Sequence, residues 1–409
     1  RRRCRHPAGA SAAGQRDSKP LMRIVLVNYE YPPLGGGAAS ATRHLASQWV
    51  RLGHGVHLVT SAFDNLPRQQ TEDGLEIARL PVIRKRASGS TATEQASFVL
   101  SGLIHMPFLV RRWKPDIACL LFAVPSGPLG LLTKVTNRLP YVVSLQGMDV
   151  PGFPAPDVVR YHPWIKPVVR IVLRHADGIV AISDGLKALA EPLAARRPIS
   201  VIPFGIDRTE FYPAETPLPA PPLHLLFVGR LVEQKALPVL LEAMSLVRNS
   251  GRDARLTIVG DGPRRAACEA LVADMALQEH VEFAGWRGRP EVPEFFRRAH
   301  VFVLPSYVES FGQVMLEAMA SGLPVVTTHL SNMAGLIQQE SNGLLVPAGD
   351  ARALADAIGR LAADEPFRLR LAERSRDDAR AYSWESVAAQ YLELFEAALG
   401  RRQPTGTPA

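Results

Sequence analysis

Cysteine is almost absent: three residues in 409, Cys4, Cys119 and Cys268, scattered and without metal-ligand spacing. That excludes a disulfide framework and a cysteine-bound zinc, and it fits a reducing cytosol. Cys119 lies in a strand-like run and reads as a small core residue. Long apolar runs are missing too. The longest candidate, residues 98–110, carries Ser101 and His105 and is too short to span a bilayer. Flanked by Arg84-Lys85-Arg86 and Arg111-Arg112-Trp113-Lys114, it is either an interfacial helix on anionic lipid or a buried helix with a solvated basic end. The first twenty residues are rich in Arg, Ala, Gly and Ser and lack the apolar centre of a secretory signal. They hold +5 of the formal net charge of +8, leaving +3 for the rest. The basic balance therefore indicates no nucleic-acid partner, and no nucleic-acid-binding motif accompanies it. Met22 directly precedes the first strand, so the natural protein is expected to start there; a flexible basic leader over 1–21 is the alternative.

What is present is alternation. Apolar strand-like runs at 23–28, 56–61, 75–82, 116–122, 141–145 and 178–183 are separated by helical patterns at 37–52, 92–112, 163–175 and 184–195. The stretch Pro213-Ala214-Glu215-Thr216-Pro217-Leu218-Pro219-Ala220-Pro221-Pro222 follows and reads as a semi-rigid linker. Strand-like runs then resume at 223–228, 255–259, 281–284, 301–304, 324–328 and 343–346, and a last helix covers 384–399. The expected fold class is α/β, with two doubly wound, Rossmann-like parallel sheets and a cleft along their C-terminal edges. The expected units are a first domain over 22–203, a linker over 204–222, a second domain over 223–383, the terminal helix over 384–399 and a disordered tail over 400–409.

The most telling segment is Glu309-Ser310-Phe311-Gly312-Gln313-Val314-Met315-Leu316-Glu317. It places one carboxylate in the loop after a buried strand and another inside the following helix. The amides of Phe311, Gly312 and Gln313 then lie at that helix's N-terminus, a ready phosphate site. Two such glutamates are ordinarily solvated, but Glu317 sits amid Val314, Met315, Leu316, Ala318 and Met319. A phosphate site between two hydroxyl-binding carboxylates suits a sugar nucleotide.

This pattern resembles the retaining glycosyltransferases of family 4, whose two-domain architecture is called GT-B; the resemblance covers residues 22–399. It implies that Glu309 holds the hydroxyls of the donor sugar and Glu317 the ribose diol, with Leu316 also lining the donor site. Gly229-Arg230-Leu231 and Lys235 are similar to the family's element in which Arg and Lys clamp the diphosphate. Two cations at a helix start oppose its dipole, which a bound anion would explain. Gly36 and Gly37, in the turn after the first strand, match a Gly-Gly loop near the diphosphate and the acceptor. Trp286 and Arg287 match backbone contacts to the nucleobase, and Gly260-Asp261-Gly262-Pro263 matches a structural turn bordering it. The family commonly has Gly where this chain has Ala236, and Asn where it has Phe204.

One departure bears on chemistry. The family often carries His in a turn that reads Gln146-Gly147-Met148-Asp149 here. Gln146 can bond a donor hydroxyl but cannot serve as a general base at neutral pH. Asp149 either contacts the acceptor or caps the turn, and Ser183 reads as a helix N-cap. The resemblance implies front-face transfer with retention, the leaving phosphate oxygen taking the acceptor's proton. No Asp-x-Asp metal signature is present, so no metal and no cofactor are expected beyond the nucleoside-diphosphate sugar co-substrate. The expected partners are that donor and a glycan or glycolipid acceptor of envelope polysaccharide synthesis. The expected location is the cytoplasm, at the inner membrane face if the interfacial helix exists. A non-catalytic sugar-nucleotide-binding partner, a GT-B epimerase or a phosphorolytic enzyme are the competing readings.

Overall fold

The computed structural model describes residues 21–400 except 88, 156–158, 217 and 331–334. The expected basic leader, apart from residue 21, and all of the tail but residue 400 lie outside the described residues. The first half is an eight-stranded sheet in the order β3-β4-β2-β1-β5-β6-β7-β8. Its strands are β1 (Arg23–Val27), β2 (Gly55–Ser61), β3 (Gln69–Glu72), β4 (Leu75–Leu80), β5 (Ile117–Leu121), β6 (Tyr141–Leu145), β7 (Gly178–Ala181) and β8 (Ser200–Val201). The connecting helices are α1 (Gly37–Arg51), α2 (Ala92–Trp113), α3 (Gly127–Asn137), α4 (His162–His175) and α5 (Asp184–Ala190). Strands β1, β5 and β6 are buried along almost their whole length, as continuous apolar runs covered on both faces must be.

Elements β3, α3 and α5 depart from the sequence expectation. Strand β3 pairs antiparallel with β4, so the sheet is not wholly parallel. Its residues are polar, and the pairing is set by the Asp73-Gly74 turn, where both residues have positive φ. Helix α3 was not expected, because Gly127, Pro128 and Gly130 resemble a turn. The glycines are instead packing requirements: a Cβ on Gly130 would lie 2.2 Å from Leu120 Cδ1, and one on Gly127 would lie 2.7 Å from Val172 Cγ1. Helix α5 also ends at Ala190, short of the expected 195.

The second half is a six-stranded parallel sheet in the order β11-β10-β9-β12-β13-β14. It contains β9 (Leu223–Val228), β10 (Ala254–Val259), β11 (Val281–Gly285), β12 (Val301–Leu304), β13 (Val325–Thr328) and β14 (Gly343–Val346). Helices α6 (Leu237–Asn249), α7 (Arg265–Asp274), α8 (Val292–Arg297), α9 (Gln313–Ala320), α10 (Ala351–Ala363) and α11 (Glu365–Ala379) connect and cover it. Strand order reverses between β9 and β12, which makes the loops after these two strands the natural ligand crevice.

The last helix, α12 (Trp384–Ala398), leaves the second half and packs on α1, β6 and β7 of the first. Tyr391 shares a 2.7 Å hydrogen bond with Ser144, and the Trp49 indole donates to the Ala388 carbonyl at 3.2 Å. The segment before β9 is not a free linker. Phe211 is fully buried edge-on to Phe296, and Ile206 pairs with Ser383.

Candidate functional site

The loops after β9 and β12 bring the expected donor residues together. After β9, Arg230 stands exposed, and a 3-10 turn over Glu233–Lys235 precedes α6. Ala236 closes that turn in a left-handed conformation (φ 50°), which explains why glycine suits the position. After β12, the Tyr307 amide donates to the Gln234 carbonyl at 2.8 Å, lacing the two loops side by side. Lys235 Nζ then forms an ion pair with Glu309 Oε1, which also accepts from the Ser306 hydroxyl at 2.9 Å. Glu309 is only 8% exposed, so this charge is held in place rather than solvated. Gly312 heads α9 at φ 75°, and a Cβ there would lie 2.3 Å from Met315 Cε. Leu316 is fully buried in the core.

Glu317 is 4% exposed, and the Arg289 guanidinium donates to it at 2.5 Å. Burial raises its carboxyl above the ordinary value, and Arg289 pulls it back. Arg289 also donates to Glu210 at 3.2 Å, and Glu210 accepts from Arg43 of α1 at 3.1 Å. Burial acts to lower the pKa of Arg289, but the carboxylates of Glu317 and Glu210 outweigh it and hold the pKa above normal. A charge chain thus runs from the first half through the 204–222 stretch to the buried carboxylate. Sequence reasoning missed Arg289 altogether. Trp286 and Arg287 lie at the rim: the indole is 67% exposed, and Arg287 reaches Glu291 at 3.5 Å.

Across the cleft, the first half meets the Glu309 loop directly. The Ser183 hydroxyl caps α5 and donates to the Ser310 carbonyl at 2.8 Å. A Cβ on Gly147 would lie 2.7 Å from Ser310 Cβ. Gln313 Nε2 donates to the Gly205 carbonyl at 3.1 Å, and Phe311 packs edge-on to Phe204. That contact accounts for an aromatic at position 204. Gly36 has open space where a Cβ would be, and Gly37 faces Gln313. The glycine that the turn requires is Gly35, at φ 87°, where a Cβ would lie 2.4 Å from Glu30 Oε2. Glu30, also missed, is nearly buried beside Arg84 at 3.5 Å. Burial raises its carboxyl, offset in part by Arg84 and by Arg230 from the other half.

Gln146 donates to the Ser144 hydroxyl at 2.9 Å. Among the described residues, its Oε1 and that of Gln313 are buried without a partner. Two orphan acceptors in one cleft call for hydrogen-bond donors. Asp149 has the geometry of a cap: Oδ1 accepts from the Gln146 and Gly147 amides at 3.0 and 2.9 Å, and Oδ2 from the Ala123 amide at 2.6 Å. Burial pushes its pKa up to about 6 against those amides, so the stability that this shift contributes is fully present below pH ~4 and is lost as pH rises through about 6. Asp149→Ala is expected to cost about 2–3 kcal/mol, because three buried amides lose their acceptor. Chemical denaturation checks this, and a loss under about 1 kcal/mol would contradict it.

Known proteins share this architecture. A model of the glycosyl transferases group 1 matches residues 222–364, and one of the glycosyl transferase 4-like domain matches residues 36–205. The chain is 29% identical to the 2-deoxystreptamine glucosyltransferase of Streptomyces kanamyceticus, over 87% of this chain and 97% of that protein. It is 31% identical to the amylovoran biosynthesis glycosyltransferase AmsK of Erwinia amylovora, over 65% of this chain and 67% of that protein. The crystal structure of Anabaena HepE in complex with UDP-glucose superposes with a TM-score of 0.71 at 16% identity, over 92% of this chain and 100% of that one.

Proposed function

The chain belongs to the group 1 glycosyl transferases, with the GT-B fold, and from that premise we propose that it moves a sugar from a nucleoside-diphosphate sugar to an acceptor hydroxyl with retention of configuration. The observation that carries this reading is the pairing of Lys235 with Glu309 at the point where strand order reverses, beside the N-terminus of α9. The diphosphate would lie against Arg230, Lys235 and the α9 amides, the ribose on Glu317, and the sugar on Glu309 and the orphan oxygens of Gln146 and Gln313.

The chemistry follows from charge. As the glycosidic bond breaks, negative charge grows on the leaving diphosphate, and fixed cations stabilise it there more than in the ground state. Gln146 cannot take a proton, so the leaving phosphate oxygen is the base that the arrangement favours. Glu309 is committed to Lys235 and Ser306, which suits a hydroxyl holder better than a nucleophile. An envelope polysaccharide or glycolipid is the acceptor we propose; AmsK is named for amylovoran biosynthesis, whereas the Streptomyces relative is named for 2-deoxystreptamine.

The test is calorimetric binding and turnover across UDP-, GDP-, ADP- and TDP-sugars, with product configuration read by NMR and activity repeated in EDTA. Tight binding of one donor, a retained anomer and EDTA-insensitive turnover are expected. No binding to any donor overturns the reading, and binding without turnover to any acceptor favours a non-catalytic partner.

A further inference from the structure

Helices α2, α3 and α4 lie side by side in one layer over the first sheet. Each buries an inner face, as Phe98, Met106 and Val110 of α2 and Val169, Val172 and Leu173 of α4 show. Their outer faces should then be polar. They are not. Leu100, Ile104 and Phe108 recur at helical spacing on the outside of α2, and Trp164, Val168 and Ile171 do so on α4. Phe108 is 66% exposed and Trp164 80%. Two apolar stripes on the outer helices of one layer, on either side of α3, are unusual on a monomer and mark an interaction surface.

The exposed charge carried by these helices is of one sign; the nearest carboxylates are Glu94, buried in the first turn of α2, Asp177, paired with Lys134 of α3, and Glu76, which accepts from the Trp113 indole. Residues 95–114, 127–138 and 162–176 contain no Asp or Glu. Arg111, Arg112, Lys166 and Arg174 are exposed along the same two outer helices. We infer that this face docks on an anionic lipid bilayer, its aromatic and aliphatic side chains entering the headgroup boundary and its cations pairing with lipid phosphates.

Three observations favour lipid over other occupants. No helix among the described residues is long and apolar enough to cross a membrane, so the apolar stripe belongs to helices lying flat on a surface. A second copy of the chain would set the same cations against one another across a two-fold interface. The face also reaches the cleft rim, because α2 and α4 both begin at the C-terminal edge of the sheet, and Trp164 sits in the first turn of α4. The interfacial helix expected within residues 98–110 is therefore half of the surface, and α4 supplies the other half. The inference does not depend on the transfer reaction.

The experiment uses the full chain, without a sugar donor, in co-sedimentation with phosphatidylcholine vesicles lacking or containing phosphatidylglycerol. Binding is expected only to the anionic vesicles, weakening with salt and accompanied by a blue shift in tryptophan emission. Trp164→Phe should abolish that shift while keeping most of the binding. Phe108→Glu combined with Trp164→Glu should lower the bound fraction at least ten-fold, with unchanged circular dichroism. Equal binding to neutral vesicles, no binding to anionic ones, or full binding by the double variant overturns the inference; the last result assigns binding to the basic residues 1–20. A concentration-dependent dimer abolished by the same variant would assign the face to a second copy instead.

Discussion

Lys235→Ala is expected to lower kcat by about a hundred- to a thousand-fold, the loss typical of removing one preorganised partner of developing charge. The lysine is held in place before any donor arrives, because Glu309 and the short turn after β9 fix its ammonium. It costs little reorganisation at the moment of reaction, which is why the effect should fall on kcat more than on KM. The same substitution also removes the cation from a nearly buried carboxylate, so a structural loss must be separated from a chemical one. Glu309→Gln in the Lys235→Ala background removes that carboxylate's charge. It should recover much of the lost thermal stability and none of the lost turnover. Steady-state kinetics beside thermal melts decide the matter. A fall in kcat below ten-fold, or recovery of turnover in the double variant, would remove Lys235 from the phosphate clamp.

The local parts of this site were legible because each is carried by a few neighbouring residues. An apolar run, a loop Glu, a Gly and a helical repeat place Glu309 and Glu317 without further information. Contacts between distant segments were not. Arg289 and Glu317 are 28 residues apart in sequence, and Arg43 lies 167 residues from Glu210. No local pattern marks such partners; only the packing of α1, the 204–222 stretch and the loop before α8 around one carboxylate defines them. Gly35 illustrates the same limit at short range. The glycine run was evident, but which glycine is indispensable depends on the Glu30 side chain folding back beneath it. Helix α3 failed for a related reason, since its glycines answer to Leu120 and Val172 on other elements. By contrast, the Asp73-Gly74 turn is a local hairpin signal, and it is masked in the sequence because β3 has no apolar face.

Arg289→Ala is expected to destabilise the protein by about 3–5 kcal/mol, the range for breaking a buried ion pair from one side. Glu317 is the more deeply buried partner, and no water replaces the guanidinium easily at a residue 4% exposed. Glu210 should suffer less, since it retains Arg43. Two features separate this mechanism from a simple packing loss. First, Glu317→Gln placed in the Arg289→Ala background should restore much of the stability, because the unpaired charge is gone. Second, the loss should depend on pH. Burial already raises the Glu317 carboxyl, and losing Arg289 raises it further, so the folded variant binds a proton more tightly than the unfolded chain. Its stability is therefore greatest at acid pH, where the carboxyl is neutral, and declines as pH rises through the raised folded value. Denaturant titrations of parent and variant at pH 5 and pH 8 measure the difference directly. A penalty equal at both values, or one that Glu317→Gln leaves untouched, would mean that Arg289 acts through packing alone. If the penalty is electrostatic, a ribose bound at Glu317 would compete with Arg289 for the carboxylate. Donor affinity should then rise when the arginine is drawn toward Glu210, and Glu210→Gln should raise the donor KM with little change in kcat.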